Sequence, residues 1–600
     1  MASGDLISRI YRGFRGVDFR GEEINLVRSP NCLNVWKDYK ETESIRTRPE
    51  MELLHSFNET VYGIFFYNDM MIVHSGKVLY KIANGVKTEL YRGRTLNIVE
   101  NDVDKEYFIE LNPAPSSAFV YNNIWYFKDG KNFVQYDGTT IGEVEGYMPT
   151  TSIARKPEGG GTILEDVNLL SEWRINTFVG DGKSTKFYLD TTDVTTPFNE
   201  RASGNAGQTL ADIRAEIQKN GDYVQINGKD ANASGHTYSF DYEKGCVTIT
   251  PAPPTPLTDG QANVRIRFMK KVDGYADRIK KCTLLQVFDN RVFFSGNTDF
   301  PNMLWHCSLN DPTYCSDLDY YNEGLDTAKV KGMVAGNNAL WVFKEPSQAN
   351  TTVFYHTPTI DADYGKVYPS QHSSIATGCV GKATNFNDDI IFFSDRGMEG
   401  ISGDVTSEQV VAHRSSLIDR KLIAERNYKD MLLEEWEGYL IAFIDNKVYL
   451  ADSRAVFTNE DHIEYEYFYW ELSKKITCTR VNKGVLYLGT DDGVYSLTDN
   501  TSDVESYWVT PKDKFNNPQY LKTTNKRGCV VEATGDISVY AKTEKTDFEL
   551  IGNYENIVDY FVSRIKRKKF KDIQLKFYSK KRFSLETATL ECFIGGYLKR

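Results

Sequence analysis

The chain has 600 residues, 40 % of them hydrophobic and 26 % charged, so it holds several domains' worth of sequence and can bury large cores. Aromatics reach 13 %, with 37 Tyr and 33 Phe, which leans the chain towards pleated, half-buried strands. The net charge is −12; residues 561–600 hold twelve Lys and Arg against three Asp and Glu, or +9, leaving −21 elsewhere, and so acidic a body repels nucleic acid rather than gripping it.

The first residues, Met1-Ala2-Ser3-Gly4-Asp5, lack a basic start followed by an apolar stretch, so no secretory leader is expected, and any exit from the cell would be by a route such as lysis. No apolar run approaches the roughly 20 residues of a membrane span. Nine cysteines run from Cys32 to Cys592 without a C-x-x-C pair, and read as scattered, buried thiols of a protein made in a reducing cytosol.

A repeat then runs along the chain: a polar turn followed by a strand that is apolar on both faces. Its turns lie at Asn68, Asn122, Asp289, Asn337, Asn387, Glu437 and Lys483, each before a run such as Ile124-Trp125-Tyr126-Phe127 or Ile390-Ile391-Phe392-Phe393. Asn, Asp and Gly dominate because tight hairpins need residues that tolerate positive φ. Strands apolar on both faces suit the middle of a sheet stacked between two others. The intervals are 54, 167, 48, 50, 50 and 46 residues, close to one four-stranded propeller blade except for the second. The expected fold is therefore all-β: a six- or seven-bladed β-propeller with an inserted small β-domain and a C-terminal β-sandwich-like domain. An N-terminal strand closing the ring is what leaves the blade count open.

The expected division is residues 1–155 for the N-terminal segment and first blades, 156–272 for the insertion, 273–501 for the remaining blades and 502–600 for the C-terminal β-domain. Lys156 to Gly161 reads as a flexible entry to the insertion. Within it, Leu210, Ile213 and Ile217 have the spacing of one short amphipathic helix. Beyond residue 502, Cys529–Ala533 and Ile537–Ala541 flank a hairpin turn, and Ile573–Phe577 and Leu590–Ile594 alternate as half-buried strands do.

Motifs for chemistry are nearly absent. Gly180 to Thr185 resembles a phosphate loop, but Thr177 stands where its first glycine belongs, so the stretch between Val179 and Phe187 reads as a hairpin turn. No histidine pair has metal-ligand spacing, His306-Cys307 lacks a second ligand nearby, and Asp361-Ala362-Asp363 lacks the glycine and closing glutamate of a calcium loop. Ser394–Gly397 and Thr490–Gly493 fall one residue short of sialidase-type turns and read as blade turns, and the pair Glu434-Glu435 reads as part of a solvated face. No catalytic residue, cofactor site or metal site is expected. The sharpest charge feature is the basic run Arg564, Lys566, Arg567, Lys568, Lys569 and Lys571, joined by Lys580, Lys581 and Arg582. It reads either as a strand edge that lysines keep from pairing or as a candidate assembly interface with an acidic neighbour, such as a second copy of this chain.

The order of parts resembles the tail hub, nozzle or stabilization proteins of short-tailed, podovirus-like bacteriophages. The resemblance rests on Gly16–Phe19 to Asn34–Lys37 with Ile45-Arg46-Thr47-Arg48-Pro49, on Phe392–Gly397, on Thr177–Gly182 in the insertion, and on Trp508–Lys512 with the final Gly595–Arg600. It implies a non-enzymatic virion protein, made in the host cytoplasm and built into the tail as a homo-oligomeric, hexameric ring below the portal and adaptor. Such a ring extends the DNA channel, helps retain the genome until ejection, lets DNA pass without specific binding and supports tail fibres or other tail proteins. A receptor-binding or adhesin propeller is the alternative, and a carbohydrate-active propeller enzyme stands behind it.

Overall fold

The computed structural model describes residues 5–21, 24–39, 44–100, 103–190, 214–219, 222–226, 235–241, 245–270, 274–325, 327–348, 351–362, 365–373, 375–402, 410–459, 462–499, 503–566 and 568–597. Among them, seven four-stranded antiparallel sheets form the blades of a propeller. The inner strands are Val61–Tyr67, Ser117–Tyr121, Leu284–Phe288, Val330–Gly336, Ala383–Phe386, Leu432–Trp436 and Cys478–Asn482 for blades 1 to 7. The fourth strand of blade 7 is Glu50–Ser56, which pairs with Gly493–Thr498, so one sheet joins the two ends of the propeller sequence and closes the ring. The blade count is seven.

Every inner strand turns into the next through two residues at positive φ: Asn68-Asp69, Asn122-Asn123, Asp289-Asn290, Asn337-Asn338, Asn387-Asp388, Glu437-Gly438 and Lys483-Gly484. Two consecutive left-handed residues define the hairpin turn whose twist matches that of the strands it joins. The strands that follow are buried on both faces; Ala339–Lys344 and Tyr439–Ile444 are buried at every position.

Separate apolar clusters fill the spaces between blades. Phe65 and Trp125 meet between blades 1 and 2, Phe133 and Phe294 between 2 and 3, Phe293 and Phe354 between 3 and 4, and Phe343 and Phe392 between 4 and 5. Phe393 and Leu440 join blades 5 and 6, Ile441 and Leu488 share the cluster spanning 6 and 7, and Ile64 packs with Val494 where the ring closes. Polar ties near the turns cross most of the same boundaries. Tyr67 Oη donates to the Asn123 carbonyl at 2.6 Å, Tyr121 Oη to the Asn290 carbonyl at 2.8 Å and Trp436 Nε1 to the Gly484 carbonyl at 2.9 Å. Lys483 reaches Asp69 at 2.7 Å across the closure.

The insertion leaves blade 2 and returns to blade 3. Its six-stranded sheet runs in the order Thr162–Ile163, Thr150–Arg155, Trp173–Phe178, Val264–Met269, Arg214–Lys219, Asp222–Gln225, and a three-stranded sheet is made of Lys186–Tyr188, Cys246–Thr250 and Thr237–Asp241. Phe178, Phe187, Ile217, Ile249, Ile266 and Phe268 share its core. Three expectations are corrected here. The amphipathic helix is a strand over Arg214–Lys219, in which Ala215 and Ile217 are buried and Glu216 is turned to Arg265; residues 210–213 lie outside the described residues. A neighbouring strand, Val264–Met269, supplies hydrogen bonds and a period-two apolar face that override the helical spacing. The stretch from Val179 to Phe187 is not a hairpin turn, because the strands on either side pair with different partners; it crosses between the two sheets. Lys156–Gly161 is not a loose entry either: Lys156 and Gly159 exchange backbone hydrogen bonds at 3.2 and 2.9 Å, and the sheet of the insertion already begins at Thr150.

The terminal domain is one eleven-stranded sheet in which the two ends of the chain are interleaved. Tyr520–Thr543 and Phe583–Tyr597 form its long central pair. Leu6–Arg12 pairs with Phe583–Tyr597, Cys32–Leu33 with Ser506–Val509, and Ile45–Thr47 with Ser584 and Leu585. Residues expected with the first blades thus belong to the C-terminal sheet.

Candidate assembly surface

The resemblance-bearing stretch Ile45–Pro49 is a structural junction. The Arg48 guanidinium is buried and donates from Nε to Asn34 Oδ1 at 2.9 Å, from Nη1 to the Pro49 carbonyl at 2.8 Å and from Nη2 to the Glu471 carbonyl at 3.0 Å. Asn34, at φ 56°, also accepts from the Glu471 amide and donates to the Glu505 carbonyl. Burial lowers the Arg48 pKa to about 10. Beside it Trp36 stacks on Trp436 at 5.4 Å and meets Trp470 edge-on at 5.7 Å. These contacts fasten the terminal domain to blade 6.

The basic run divides into two groups that pair with distant parts of the strand Tyr520–Thr543. Lys568 donates to Thr524, whereas Arg582-Phe583 sits beside Gly535, on the order of 30 Å further along an extended strand. In the second group Lys581 pairs with Asp536 at 2.8 Å and Arg582 with Asp499; Lys580 is exposed. In the first group Lys568 pairs with Glu549, while Arg564, Lys566, Lys569 and Lys571 are exposed; Arg567 lies outside the described residues. The carboxylates are tens of residues away in sequence, so the run looks uniformly available when read alone.

Sequence reasoning missed an apolar face next to the first group. Register places Ile10, Thr589, Val530 and Val562 side by side on four adjacent strands. Ile10 is 50 % exposed, Val530 38 % and Val562 41 %, and Tyr560 continues the face at 63 %. One residue along, the row Tyr11, Ala588, Val531 and Phe561 is buried. The sheet therefore has a conventional core side and an outer side that is also apolar. Leu6 and Phe593 extend the outer side, and the exposed Arg564 and Lys566 follow the strand that carries Tyr560 and Val562. The available signal was the alternation in Tyr560-Phe561-Val562-Ser563-Arg564, whose two apolar phases cannot both face one core.

The remaining motifs take structural places. Asp181 accepts from the Lys183 and Ser184 amides and from Ser184 Oγ, which holds its carboxyl pKa down at about 2. Ser394–Gly397 and Thr490–Gly493 are blade turns. Glu434 and Glu435 point to opposite sides of an inner strand: burial raises the pKa of Glu434, which accepts from Thr479 at 3.2 Å, and Glu435 is exposed. His306 is buried beside Cys307, and burial lowers the imidazole to about 4 and raises the thiol to about 12, the wrong directions for a thiolate–imidazolium pair. All nine cysteines are buried and none forms a disulfide. Among the described residues no group of three His, Cys, Asp or Glu side chains is placed to hold a metal ion, and no helix is long and apolar enough to cross a membrane.

No protein-family model matches the chain, and no curated protein sequence matches it. Among solved structures it is similar to BamB from Moraxella catarrhalis, at 11 % identity over 74 % of this chain and 97 % of that one, TM-score 0.32. A computationally designed protein, Ika8, matches at 9 % identity over 75 % of this chain and 99 % of that one, TM-score 0.29. PorZ of Porphyromonas gingivalis matches at 10 % identity over 92 % and 87 %, TM-score 0.19. At these values the propeller stands on its own strand pairing.

Proposed function

We propose that this chain is a non-enzymatic structural protein of a short-tailed bacteriophage tail, a hub or nozzle subunit that closes into a ring of about six copies. The observation that carries the reading is the apolar outer face of the terminal sheet, across Ile10, Val530 and Val562. A sheet face of this kind, rimmed by charge, is an interaction surface. The occupant proposed is a second copy: Arg564 and Lys566 edge the face, the last forty residues carry +9, and the rest of the chain carries −21, so a basic rim finds acidic surface on a neighbouring copy. A head-to-tail contact between unlike surfaces closes into a ring when its rotation divides the circle. In this reading the ring sits below the portal and adaptor, extends the DNA channel, presents acidic walls that DNA slides past, and carries fibres or other tail proteins. The receptor-binding alternative draws on the paired strands Gly93–Glu100 and Val103–Glu110, whose Tyr107 and Phe108 are exposed.

The test is mass and symmetry by light scattering and negative-stain imaging, for the chain alone and with portal and adaptor proteins. A closed ring is expected, and Ile10→Lys with Val562→Lys, both at exposed positions, is expected to leave folded monomers. A wild-type monomer that ignores those partners, or a ring indifferent to the double substitution, overturns the reading.

A further inference from the structure

The inner strands of a propeller converge on a central axis, and at the mouth opposite the positive-φ turns they begin around a pocket of about 310 Å³. Blades 4, 5 and 6 each send lysine into it: Lys329 and Lys331 from blade 4, Lys382 from the start of blade 5, and Lys429 from the turn before blade 6. Asp430 is the one carboxylate in the lining, so the pocket carries a formal +3 within a chain of −12. Leu284, Val330 and Leu432 supply its apolar wall.

This arrangement differs from the other large clefts. In the cleft of 690 Å³ beneath the terminal domain, Arg46 and Arg582 both pair with Asp499. In the cleft of 870 Å³ between blade 2 and the insertion, Arg94 and Lys280 both pair with Glu143. None of the four lysines at the propeller mouth forms an ion pair among the described residues. Lys382 keeps solvent contact along its length, yet the surrounding walls, and after them the charge of Lys331, lower its ammonium pKa. Lys331 and Lys382 act on each other as like charges, with Asp430 acting more weakly the other way, and a fold keeps such an arrangement at a site that gains from it.

We propose that the propeller mouth is a binding site for a small phosphate-bearing anion. Lysine ammoniums are compact point charges with three donors each, which suit the several oxygens of a phosphate group and lack the planar fork that matches a carboxylate. A space of this size, open to solvent, has room for one or two phosphate groups with their first waters. Lys331, half-buried, and Lys382, exposed but acting on it as a like charge, are the central donors, with the exposed Lys329 and Lys429 as the rim. Asp430 opposes binding and sets a limit on affinity.

The experiment is calorimetric titration of the full chain with inorganic pyrophosphate at fixed ionic strength, with citrate and a short single-stranded oligonucleotide as the other arms. Pyrophosphate is expected to bind. Lys331→Gln with Lys382→Gln should weaken it at least about tenfold, since a charge-assisted hydrogen bond is worth that much. Asp430→Asn should tighten it. Circular dichroism checks folding; if the central pair fails to fold, Lys329→Gln with Lys429→Gln at the exposed rim serves in its place, with a smaller loss expected. The proposal is overturned by the absence of pyrophosphate binding at millimolar concentration, by unchanged binding in the lysine variants, by citrate binding as tightly as pyrophosphate, or by an oligonucleotide that binds where pyrophosphate does not.

Discussion

The propeller and the terminal domain are both antiparallel β-structure, but they join residues over very different distances along the chain. Within a blade the first strand pairs with the second through a two-residue turn and the other strands follow in chain order, and only the closing strand Glu50–Ser56 reaches across the ring. In the terminal domain the first described strand, Leu6–Arg12, pairs with the last, Phe583–Tyr597. Local pairing costs little chain entropy per contact, whereas long closures must be made before their contacts reward them. The propeller is therefore a set of units that can form one after another, and the terminal sheet is a clasp that both ends of the chain must reach.

Arg48 ties the clasp to blade 6 and is where the comparison breaks most strongly. Arg48→Ala leaves Asn34 Oδ1 and the carbonyls of Pro49 and Glu471 without that donor, in buried surroundings. Asn34 Oδ1 keeps the Glu471 amide, so the loss expected, about 2–4 kcal/mol, comes from the two carbonyls and from the packing of the guanidinium. Hydrogen exchange should quicken in Ile573–Ser579 and Phe583–Tyr597 and stay unchanged in blades 1 to 3. Uniform quickening would mean that clasp and propeller open as one unit.

A smaller effect separates the two regions by pH. All eight histidines lie between His55 and His462, outside the strands that the chain ends contribute. His413 in blade 5 sits between Glu399 at 3.2 Å and Asp419 at 2.6 Å. Burial alone would lower its pKa, but the hydrogen bonds and charges of these two carboxylates raise it to about 10. A folded pKa above the unfolded value near 6.5 gives stability that is complete below about 6.5 and lost as pH rises to about 10. With a side chain 31 % exposed, about 1–2 kcal/mol is expected after allowing for screening. The difference in urea stability between wild type and His413→Gln should thus be largest at pH 6 and vanish by pH 10. A constant difference would assign the loss to packing.

The propeller was legible because its signal is local. Asn68, Asn122, Asp289, Asn337 and Asn387 are residues that tolerate positive φ, and the apolar run after each marks a strand buried on both faces. The insertion was half legible: its core strands at Phe187, Ile249 and Ile266 alternate visibly, while Arg214–Lys219 has a helical spacing that only its neighbour Val264–Met269 overrides. The clasp was not legible, since nothing near Ile45 announces Ser584 and Leu585 as partners. The same holds for the surface it carries. The charge of Lys568, Lys581 and Arg582 could be read, but not Glu549, Asp536 and Asp499, which engage them. The mouth lysines did leave a trace, because Lys331 and Lys382 stand six and five residues before the turns at Asn337 and Asn387, near the start of successive repeats.

The smallest expected effect tests why the repeat is readable at all. Glu437 occupies the first turn position of blade 6 at φ 50°, where five of the other blades carry Asn or Asp. A glutamate side chain is strained in the left-handed region, and asparagine is not, because its short amide bonds locally to the backbone. Glu437→Asn should therefore stabilise the protein by about 0.5–1 kcal/mol, read as a raised urea midpoint with unchanged slope. The matching position in blade 7, Lys483 at φ 49°, makes the sharper control. Its ammonium pairs with Asp69 at 2.7 Å across the ring closure, so Lys483→Asn relieves strain and breaks a tie at once and should change stability little. Equal gains at both positions would show that the tie is worth nothing and that turn conformation alone selects these residues. A loss at Glu437 would mean that the backbone there is held by its surroundings, with Arg454 donating to the Glu437 carbonyl, rather than by turn chemistry.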